Sequence, residues 1–232
     1  MKPDYWRQMD FYNPMLDNAN VLVAGAGATG SYVAFALARM GKLRFDVVDF
    51  DTVEQHNLPN QFFSEALAYA SAVPKITALK NTIDMLLENT NIIYHCCRVE
   101  ELDLKRYDII IVAVDCMEVR KKIFDMSNPI CHIIDPRTGG EYYNMFYCNK
   151  DDKDNVEYYK ASLFSNEDAS PLRCTGRAVI DVSMGVTAQV IALYRKIIQN
   201  KPIQSYQMFY DNSTGMGSPM HTIGGNNDED TD

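Results

Sequence analysis

Three glycines near the start of the chain stand where a turn joins an apolar run to a helical one. They are Gly25, Gly27 and Gly30, preceded by NVLVA and followed by SYVAFALARM. This spacing allows a tight turn and lets the backbone approach a phosphate, and the helix that follows offers unpaired N–H groups at the positive end of its dipole. Asp49 lies 19 residues after Gly30, where a carboxylate accepts hydrogen bonds from ribose hydroxyls. These residues predict a nucleotide site without naming the nucleotide, and alone they favour a dinucleotide-dependent oxidoreductase.

The elements that must position this turn alternate along the chain between β-branched apolar runs and amphipathic stretches. Such alternation indicates an α/β fold with a doubly wound, mostly parallel Rossmann-like sheet, extended by a C-terminal helix and strand. Strands are predicted at 20–24, 44–48, 92–96, 108–114 and 131–135, and helices at about 31–40, 74–88 and 118–126. The extension is a helix at about 178–198 and a strand at 206–210.

Two segments lie outside this alternation. The stretch at about 149–172 is rich in charge and has no periodicity, which predicts a long loop within the domain. The segment 211–232 has few apolar residues and ends in DEDTD. We therefore expect a single domain at 1–210, followed by a disordered acidic tail.

The composition argues against several classes of function. A formal charge of −9 on 232 residues makes nucleic acid an unexpected partner, since that binding depends on Lys and Arg. No apolar run approaches the roughly 20 residues of a membrane span, and the segment 1–10 lacks the apolar core of a signal peptide, so we expect a cytoplasmic protein without a membrane partner. The six cysteines include no Cys-x-x-Cys pair, which predicts reduced thiols and no zinc site.

The continuation of the second strand is more specific than the glycine turn. Residues 49–61 read Asp-Phe-Asp-Thr-Val-Glu-Gln-His-Asn-Leu-Pro-Asn-Gln, which strongly resembles the ThiF/MoeB/HesA family signature Asp-x-Asp-x-Val-x-x-x-Asn-Leu-x-Arg-Gln. Further matches follow in the family's order: Tyr5-Trp-Arg7-Gln8, Val73-Pro-Lys75, and Asp115 with Arg120 after it. The resemblance spans about residues 5–200.

The resemblance implies an ATP-dependent adenylyltransferase with Mg²⁺, acting on the C-terminal carboxylate of a small ubiquitin-like or sulfur-carrier protein, or of a peptide. The nucleotide-binding positions that it implies are Gly25, Gly27, Ala28, Gly30, Asp49, Asp51, Asn57, Asn60 and Gln61. The catalytic positions that it implies are Arg7, Lys75, Asp115 and Cys174, with Asp115 as the Mg²⁺ ligand. In the family, the arginine that matches Arg7 reaches into the neighbouring protomer's site, so we expect a homodimer.

Elementary chemistry gives Lys75 and Asp115 roles that suit this reaction. A C-terminal carboxylate is already ionised at neutral pH, so its attack on the α-phosphorus of ATP needs no general base. The attack does need the repulsion between two anions to be reduced and the departing pyrophosphate to be stabilised. Lys75, at the start of a predicted helix, offers positive charge, and Asp115, at the end of a predicted strand, offers an oxygen ligand for Mg²⁺.

The sequence departs from the family pattern at three positions. Asn60 stands where the signature has Arg, which removes a phosphate-binding cation, while Ala28 replaces a frequent glycine and Cys116 replaces the usual Asn after the metal ligand. Two rival functions stay open. An NAD(P)-dependent Rossmann oxidoreductase leaves Lys75 and Asp115 without a role, and a catalytically silent subunit that binds a ubiquitin-like protein is favoured by Asn60.

Each of these residues also has a purely structural interpretation. Lys75 and Arg7 are of a type that usually carries a solvated surface charge, Asp115 suits a helix N-cap, and Asn57 suits a turn. Only their joint order along the chain favours the functional interpretation.

Cys174 lies in Arg173-Cys-Thr-Gly-Arg177, just before the predicted C-terminal helix. A helix N-terminus and neighbouring cations favour the thiolate, which is the nucleophilic form. In the resembled family, a cysteine in a comparable segment takes the activated carboxylate as a thioester or persulfide adduct. A packing cysteine is equally consistent with the sequence, and we interpret the other five cysteines as packing residues.

Overall fold

The computed structural model describes residues 4–65, 72–88, 90–163 and 179–222. Its strands are β1 (Val21–Ala24), β2 (Phe45–Val48), β3 (Ile92–His95), β4 (Ile109–Val112), β5 (His132–Gly139), β6 (Tyr142–Asn149), β7 (Ser205–Asp211) and β8 (Met216–Thr222). Its α-helices are α1 (Ala28–Arg39), α2 (Lys75–Leu86), α3 (Met117–Met126), α4 (Lys153–Ala161) and α5 (Ile180–Ile198). The strands form one eight-stranded sheet in the order β3-β2-β1-β4-β5-β6-β7-β8.

The sheet is parallel in its first part and antiparallel in its second. Strands β3, β2, β1, β4 and β5 pair in parallel, whereas β6, β7 and β8 each join antiparallel. This confirms the predicted doubly wound, mostly parallel sheet with a C-terminal extension. The strand order reverses direction between β1 and β4, and ligands of such sheets bind outside the carboxyl ends of the strands at that reversal.

Helices cover both faces of the sheet. Residues of β1, β2 and β4 are buried throughout, as expected for β-branched strands in a parallel sheet. One core cluster joins the sheet to α1, α2 and α5, and the other joins it to α3 and α4. The carboxyl ends of β1, β2 and β4 therefore meet at one edge of the sheet, between the two helix layers.

The predicted loop at 149–172 is wrong in its first half, which contains α4. Asp152 caps the helix by accepting hydrogen bonds from the amides of Asp154 and Asn155, at 3.0 and 3.2 Å. The helix also buries Asn155 and Tyr159 completely. The sequence conceals this helix because its surface is charged and only a few of its side chains reach the core.

The predicted disorder from 211 onwards is also wrong in its first part, because β8 pairs with β7 over residues 216–222. The turn between these strands is held by Asp211, whose Oδ1 accepts the Ser213 amide at 2.9 Å. Strand β8 shows no apolar alternation because its described side chains are exposed. Backbone pairing with β7 and stacking of the His221 ring on Tyr158 and Tyr206 hold it in place. Strand β6 was not predicted either. Among the helices that the structure describes, none has the length and apolar character to cross a bilayer.

Candidate active site

The glycine turn leaves β1 and enters α1, and two of its glycines are required by close approach of the backbone. Gly25 has φ +100°, and a Cβ there would lie 2.4 Å from the carbonyl oxygen of Ala113. A Cβ at Gly30 would lie 1.9 Å from the carbonyl oxygen of Gly25. Gly27, the N-cap of α1, differs, because a Cβ there would meet no atom within 4 Å. The turn is therefore packed on its inner side and open over Gly27, where the N-terminus of α1 and Ala28 face outward as in phosphate-binding turns.

Asp49 braces this turn from the end of β2. Its Oδ2 accepts the Ala26 amide at 2.7 Å, and its Oδ1 accepts the Asp51 amide at 2.8 Å. Burial raises the pKa of Asp49, and these two hydrogen bonds oppose the shift. A carboxylate has about four lone-pair positions, so Asp49 keeps acceptor capacity for ribose hydroxyls beside its structural bonds.

Lys75 and Asp51 form an ion pair where the loop after β2 meets the start of α2. The Lys75 Nζ lies 2.9 Å from Asp51 Oδ2, and the Lys75 amide donates to the Asp51 carbonyl at 2.8 Å. The Lys75 side chain is 12% exposed and that of Asp51 is 50% exposed. The lysine charge is thus held in place by its backbone, while its ion pair borders solvent.

The rest of the signature loop has structural roles in this fold. Asn57 is buried, and its Oδ1 accepts the Glu54 amide at 3.0 Å, which is the turn-forming role. Asn60 accepts a hydrogen bond from Ser183 Oγ at 2.8 Å, so it ties the loop to the first turns of α5. Gln61 Oε1 is buried without a partner in the described part of the chain.

Asp115 lies three residues beyond the end of β4 and is exposed. It is not the N-cap of α3, because Cys116 takes that position. Within the described ranges no cluster of three or more His, Cys, Asp or Glu residues is arranged to hold a metal. A Mg²⁺ site at Asp115 would combine one carboxylate with phosphate oxygens and water, which is the usual set in nucleotide enzymes.

Arg7 lies far from the glycine turn of its own chain. It belongs to the short 3₁₀-helix Trp6–Gln8, whose Gln8 Nε2 donates to the carbonyl of Met40 at 2.6 Å. Met40 follows the last residue of α1, whereas Gly27 precedes its first. The helix has 12 residues, so roughly 18 Å separates its two ends. The structure therefore does not bring Arg7 to the other site residues of the same chain.

Cys174 lies outside the described residues. Of the five described cysteines, all free thiols, Cys131 and Cys148 are buried, and burial raises the pKa of each to about 12. Their thiols are poor nucleophiles at neutral pH, as expected for packing residues. Cys97 is half-buried and packs against the second core cluster, and Cys116 is half-buried. Cys96 is exposed, so its interpretation as a packing residue was wrong.

Sequence reasoning missed a buried charged cluster beside Asp115. Asp135 in β5 has no exposed surface and binds Arg120, Arg137 and the Tyr159 hydroxyl. The available signals were the spacing of Asp115 and Arg120 and the Asp-Pro-Arg sequence at the end of a buried strand. Neither signal shows that these residues meet.

Comparison with known proteins identifies the family of the chain. A model of the ThiF family matches residues 13–231. The chain is 28% identical over 125 residues to the NEDD8-activating enzyme E1 catalytic subunit of Dictyostelium discoideum, covering 53% of this chain and 28% of that protein. It is 33% identical over 115 residues to the adenylyltransferase and sulfurtransferase MOCS3-1 of Zea mays, covering 47% and 24%. The chain thus spans about a quarter of the length of these relatives.

Solved structures share the fold over nearly the whole chain. The structure of PaaA superposes with a TM-score of 0.66 at 20% identity, covering 94% of this chain and 82% of PaaA. That of E. coli MccB with ATP superposes with a TM-score of 0.70 at 16% identity, covering 96% and 72%. At these identities the likeness establishes the fold alone.

Proposed function

The chain belongs to the ThiF family, and on that basis we propose that it uses ATP to adenylylate the C-terminal carboxylate of a small ubiquitin-like or sulfur-carrier protein, or of a peptide. Its curated relatives include a protein named as a NEDD8-activating enzyme and others named as adenylyltransferases. Structures of MccB include complexes with ATP and with MccA. These names support an ATP-dependent reaction on a ubiquitin-like or peptide partner.

The observation that carries the proposal is the grouping of charge at the carboxyl ends of β1, β2 and β4. The open face at Gly27, the Lys75–Asp51 pair and the exposed Asp115 follow three adjacent strands. A hydride-transfer enzyme needs the glycine turn and Asp49, but Lys75 and Asp115 would have no role in its reaction. A reaction at phosphorus uses both, because it requires cations and a metal ligand beside the phosphates.

The chemistry follows from these charges. An oxygen of the ionised carboxylate attacks the α-phosphorus, an acyl–O–P bond forms, and the bond to the bridging oxygen breaks, so that pyrophosphate leaves with the electron pair. Lys75 reduces the repulsion between the two anions, and Asp49 orients the ribose. When bound, Mg²⁺ neutralises phosphate charge, and Asp115 is the residue that would hold it.

Carrier-dependent exchange of labelled pyrophosphate into ATP tests this function. We expect Asp115→Asn to abolish exchange, because the amide loses the negative charge that Mg²⁺ requires. Lys80→Ala is the matched control, since Lys80 is exposed on α2 and pairs only with Asp84 in the part of the structure described. Near-normal exchange by folded Asp115→Asn protein would remove Asp115 from the mechanism.

Nucleotide selectivity separates the proposal from its rivals. ATP with Mg²⁺ at a hundredfold excess over Kd should stabilise the fold by about 2.7 kcal/mol, and NADH should not. The rival with an observation in its favour is a silent, carrier-binding subunit, because Asn60 binds Ser183 where the family signature has a cation. Carrier binding without nucleotide stabilisation would favour that rival, and stabilisation by NADH alone would contradict both.

The proposed homodimer accounts for the place of Arg7. Five large apolar side chains in its segment are exposed: Trp6, Met9, Phe11, Met15 and Leu16. An exposed apolar surface of this kind is typical of an interface. Because roughly 18 Å of helix separates Arg7 from its own glycine turn, the arginine would complete the site of a second copy.

Subunit mixing tests this arrangement directly. Arg7→Ala and Lys75→Ala proteins should each lack exchange activity, and their mixture should regain it, because every mixed dimer then contains one site with both residues. A mixture that stays inactive while mixed dimers form would show that Arg7 does not act across the interface.

Transfer to Cys174 is the second proposed step. Its thiolate would attack the acyl carbon, form a thioester and release AMP. Cys174→Ala should then retain pyrophosphate exchange but lose a thiol-sensitive adduct with the carrier on a non-reducing gel. Cys148→Ala is the control, because that thiol is buried. An adduct that survives the Cys174 change would leave adenylation as the only reaction of this chain.

A further inference from the structure

The buried cluster around Asp135 contains more positive than negative charge. Arg137 donates to Asp135 Oδ2 from Nε at 2.9 Å, and its Nη2 lies 2.7 Å from the same oxygen in an ion pair. Tyr159 donates to the same oxygen at 3.0 Å, and Arg120 donates to Oδ1. Burial, followed by the nearby Arg137, lowers the pKa of Arg120 to about 10, so it stays charged at neutral pH. Two cations thus share one carboxylate away from water.

Each arginine uses its remaining donors on a different backbone segment. Arg120 donates from Nη2 to the carbonyl of Val114, the residue directly before Asp115. Arg137 donates from Nη1 to the carbonyl of Ser162 at 2.9 Å and from Nη2 to its hydroxyl at 3.0 Å. Ser162 is the C-cap of α4. Asp135 therefore connects the loop after β4 to the end of α4 through two guanidinium groups.

A cluster of this kind is costly if packing is its only role. Burying charge is expensive, and well-packed apolar residues of similar volume often stabilise a core as well or better. The planar fork of arginine is suited to holding a carboxylate and a carbonyl at once in fixed geometry. In the described part of the chain, the Asp115 carboxylate accepts no hydrogen bond, so the position of its backbone determines where the side chain leaves the loop.

We infer that Arg120 is a positioning residue for Asp115, and that Asp135 and Arg137 extend the same support to the C-terminal end of α4. Arg120 holds the carbonyl of Val114 and so fixes the loop from which Asp115 projects. Arg137 holds Ser162 and so fixes the point where the chain leaves α4. The consequence for Mg²⁺ rests on the proposed function, whereas the support of the two backbone segments does not.

Hydrogen exchange of the two backbone segments tests the support without any ligand. Arg120→Gln should lower amide protection in 113–119 by about tenfold or more, the equivalent of one charged hydrogen bond, and leave 159–163 unchanged. Arg137→Gln should do the reverse, and Asp135→Asn should loosen both segments. Equal loosening of both segments by Arg120→Gln and Arg137→Gln would overturn the inference.

Magnesium dependence of pyrophosphate exchange tests the consequence for the site. Arg120→Gln should raise the Mg²⁺ concentration for half-maximal rate roughly 10- to 100-fold, the usual range when support for a metal ligand is lost, with a smaller loss at saturating Mg²⁺. Arg120→Lys should restore part of the shift, and it replaces the glutamine variant if that protein fails to fold. Arg137→Gln should leave the Mg²⁺ dependence unchanged, and an equal shift there would contradict the role of Arg120.

The two measurements separate the two proposals. Wild-type protein without exchange activity toward any carrier would refute the proposed adenylylation, while the hydrogen-exchange pattern would still decide the role of Arg120. Normal pyrophosphate exchange together with unchanged amide protection of 113–119, in both Arg120→Lys and Arg120→Gln, would refute only the positioning role.

Discussion

Two Asp–Lys ion pairs lie at opposite edges of the sheet and differ in almost everything except their chemistry. Asp17 and Lys42 lie at the edge where β1 and β2 begin, 2.6 Å apart, with side chains 0% and 2% exposed. Asp51 and Lys75 lie near the edge where these strands end, 2.9 Å apart, with side chains 50% and 12% exposed. One pair is closed off from water and the other borders it.

The buried pair has its hydrogen-bonding capacity filled. Besides Asp17 Oδ1, the Lys42 Nζ donates to the carbonyls of Asp17 and Ala19, at 3.2 and 2.8 Å. Asp17 Oδ2 accepts Tyr12 at 2.6 Å and also Tyr194 of α5. The cluster thus joins the N-terminal segment, the end of α1 and α5. Lys75 has a single side-chain partner within the described ranges. Burial closes the first pair off from water. The second pair borders solvent, as the proposed role of Lys75 beside a phosphate requires.

The largest expected effect comes from breaking the buried pair. Lys42→Met should lower the free energy of unfolding by about 3–5 kcal/mol, because Asp17 would remain charged and uncompensated in the core. Urea unfolding followed by circular dichroism measures this, with Lys80→Met as the exposed control, expected to cost about 0.5 kcal/mol or less. A loss below 1 kcal/mol for Lys42→Met would show that burial does not distinguish the two pairs.

The matched change in the exposed pair should act on activity instead. Lys75→Met should reduce pyrophosphate exchange by about 10²- to 10³-fold, the typical effect of removing a group that stabilises transition-state charge. The free energy of unfolding should change by about 1 kcal/mol or less, because an ion pair that borders solvent contributes little. If Lys75→Met is instead as unstable as Lys42→Met, the lysine is a structural residue.

A smaller effect is expected from the hydroxyl that α5 contributes to the buried pair. Tyr194→Phe should lower the free energy of unfolding by about 1.5–3 kcal/mol, the range for a hydrogen bond to a charged group. Tyr159→Phe removes a comparable bond to Asp135 and is the comparison in the same denaturation assay. No change in Tyr194→Phe would mean that Tyr12 and Lys42 alone satisfy Asp17.

An effect that appears only at alkaline pH is expected from the same two tyrosines. Burial, with the neighbouring Asp17, raises the pKa of both Tyr12 and Tyr194. A raised tyrosine pKa stabilises the fold fully below the unfolded value of about 10, and this stability is lost as the pH rises above it. Each tyrosine should contribute a decline of up to about 1.4 kcal/mol per pH unit. The double variant Tyr12→Phe/Tyr194→Phe should show a shallower decline, and an unchanged slope would contradict the assignment.

The parts of the molecule that local sequence determines were predicted well. The glycine turn depends on the spacing of a few residues, and the strands around it depend on runs of β-branched residues. Both can therefore be predicted from the sequence. The parallel, doubly wound part of the sheet followed from the alternation of elements, and the family followed from the contiguous segment 49–61. The roles proposed for Lys75, Asp115 and Cys174 stay predictions.

The parts of the fold that depend on contacts between distant residues could not be predicted from the sequence. Helix α4 is stabilised by the burial of Tyr159 against a carboxylate in β5, and β8 is stabilised by pairing with β7. Neither contact produces an apolar pattern in the segment's own sequence. For Asn57 the sequence left a turn and a nucleotide contact both open, and the hydrogen bond from the Glu54 amide shows that its side chain forms the turn.

The sequence by itself determined that a glycine turn enters α1, that Asp49 follows β2 and that the family signature extends to Gln61. Only the tertiary structure decided that Lys42 forms a buried ion pair while Lys75 borders the candidate site, and that Arg120 reaches the loop of Asp115. A sequence lists both lysines and both aspartates as equivalent charges. What each ion pair can do depends on its exposure to solvent, and the packing of distant segments of the chain sets that exposure.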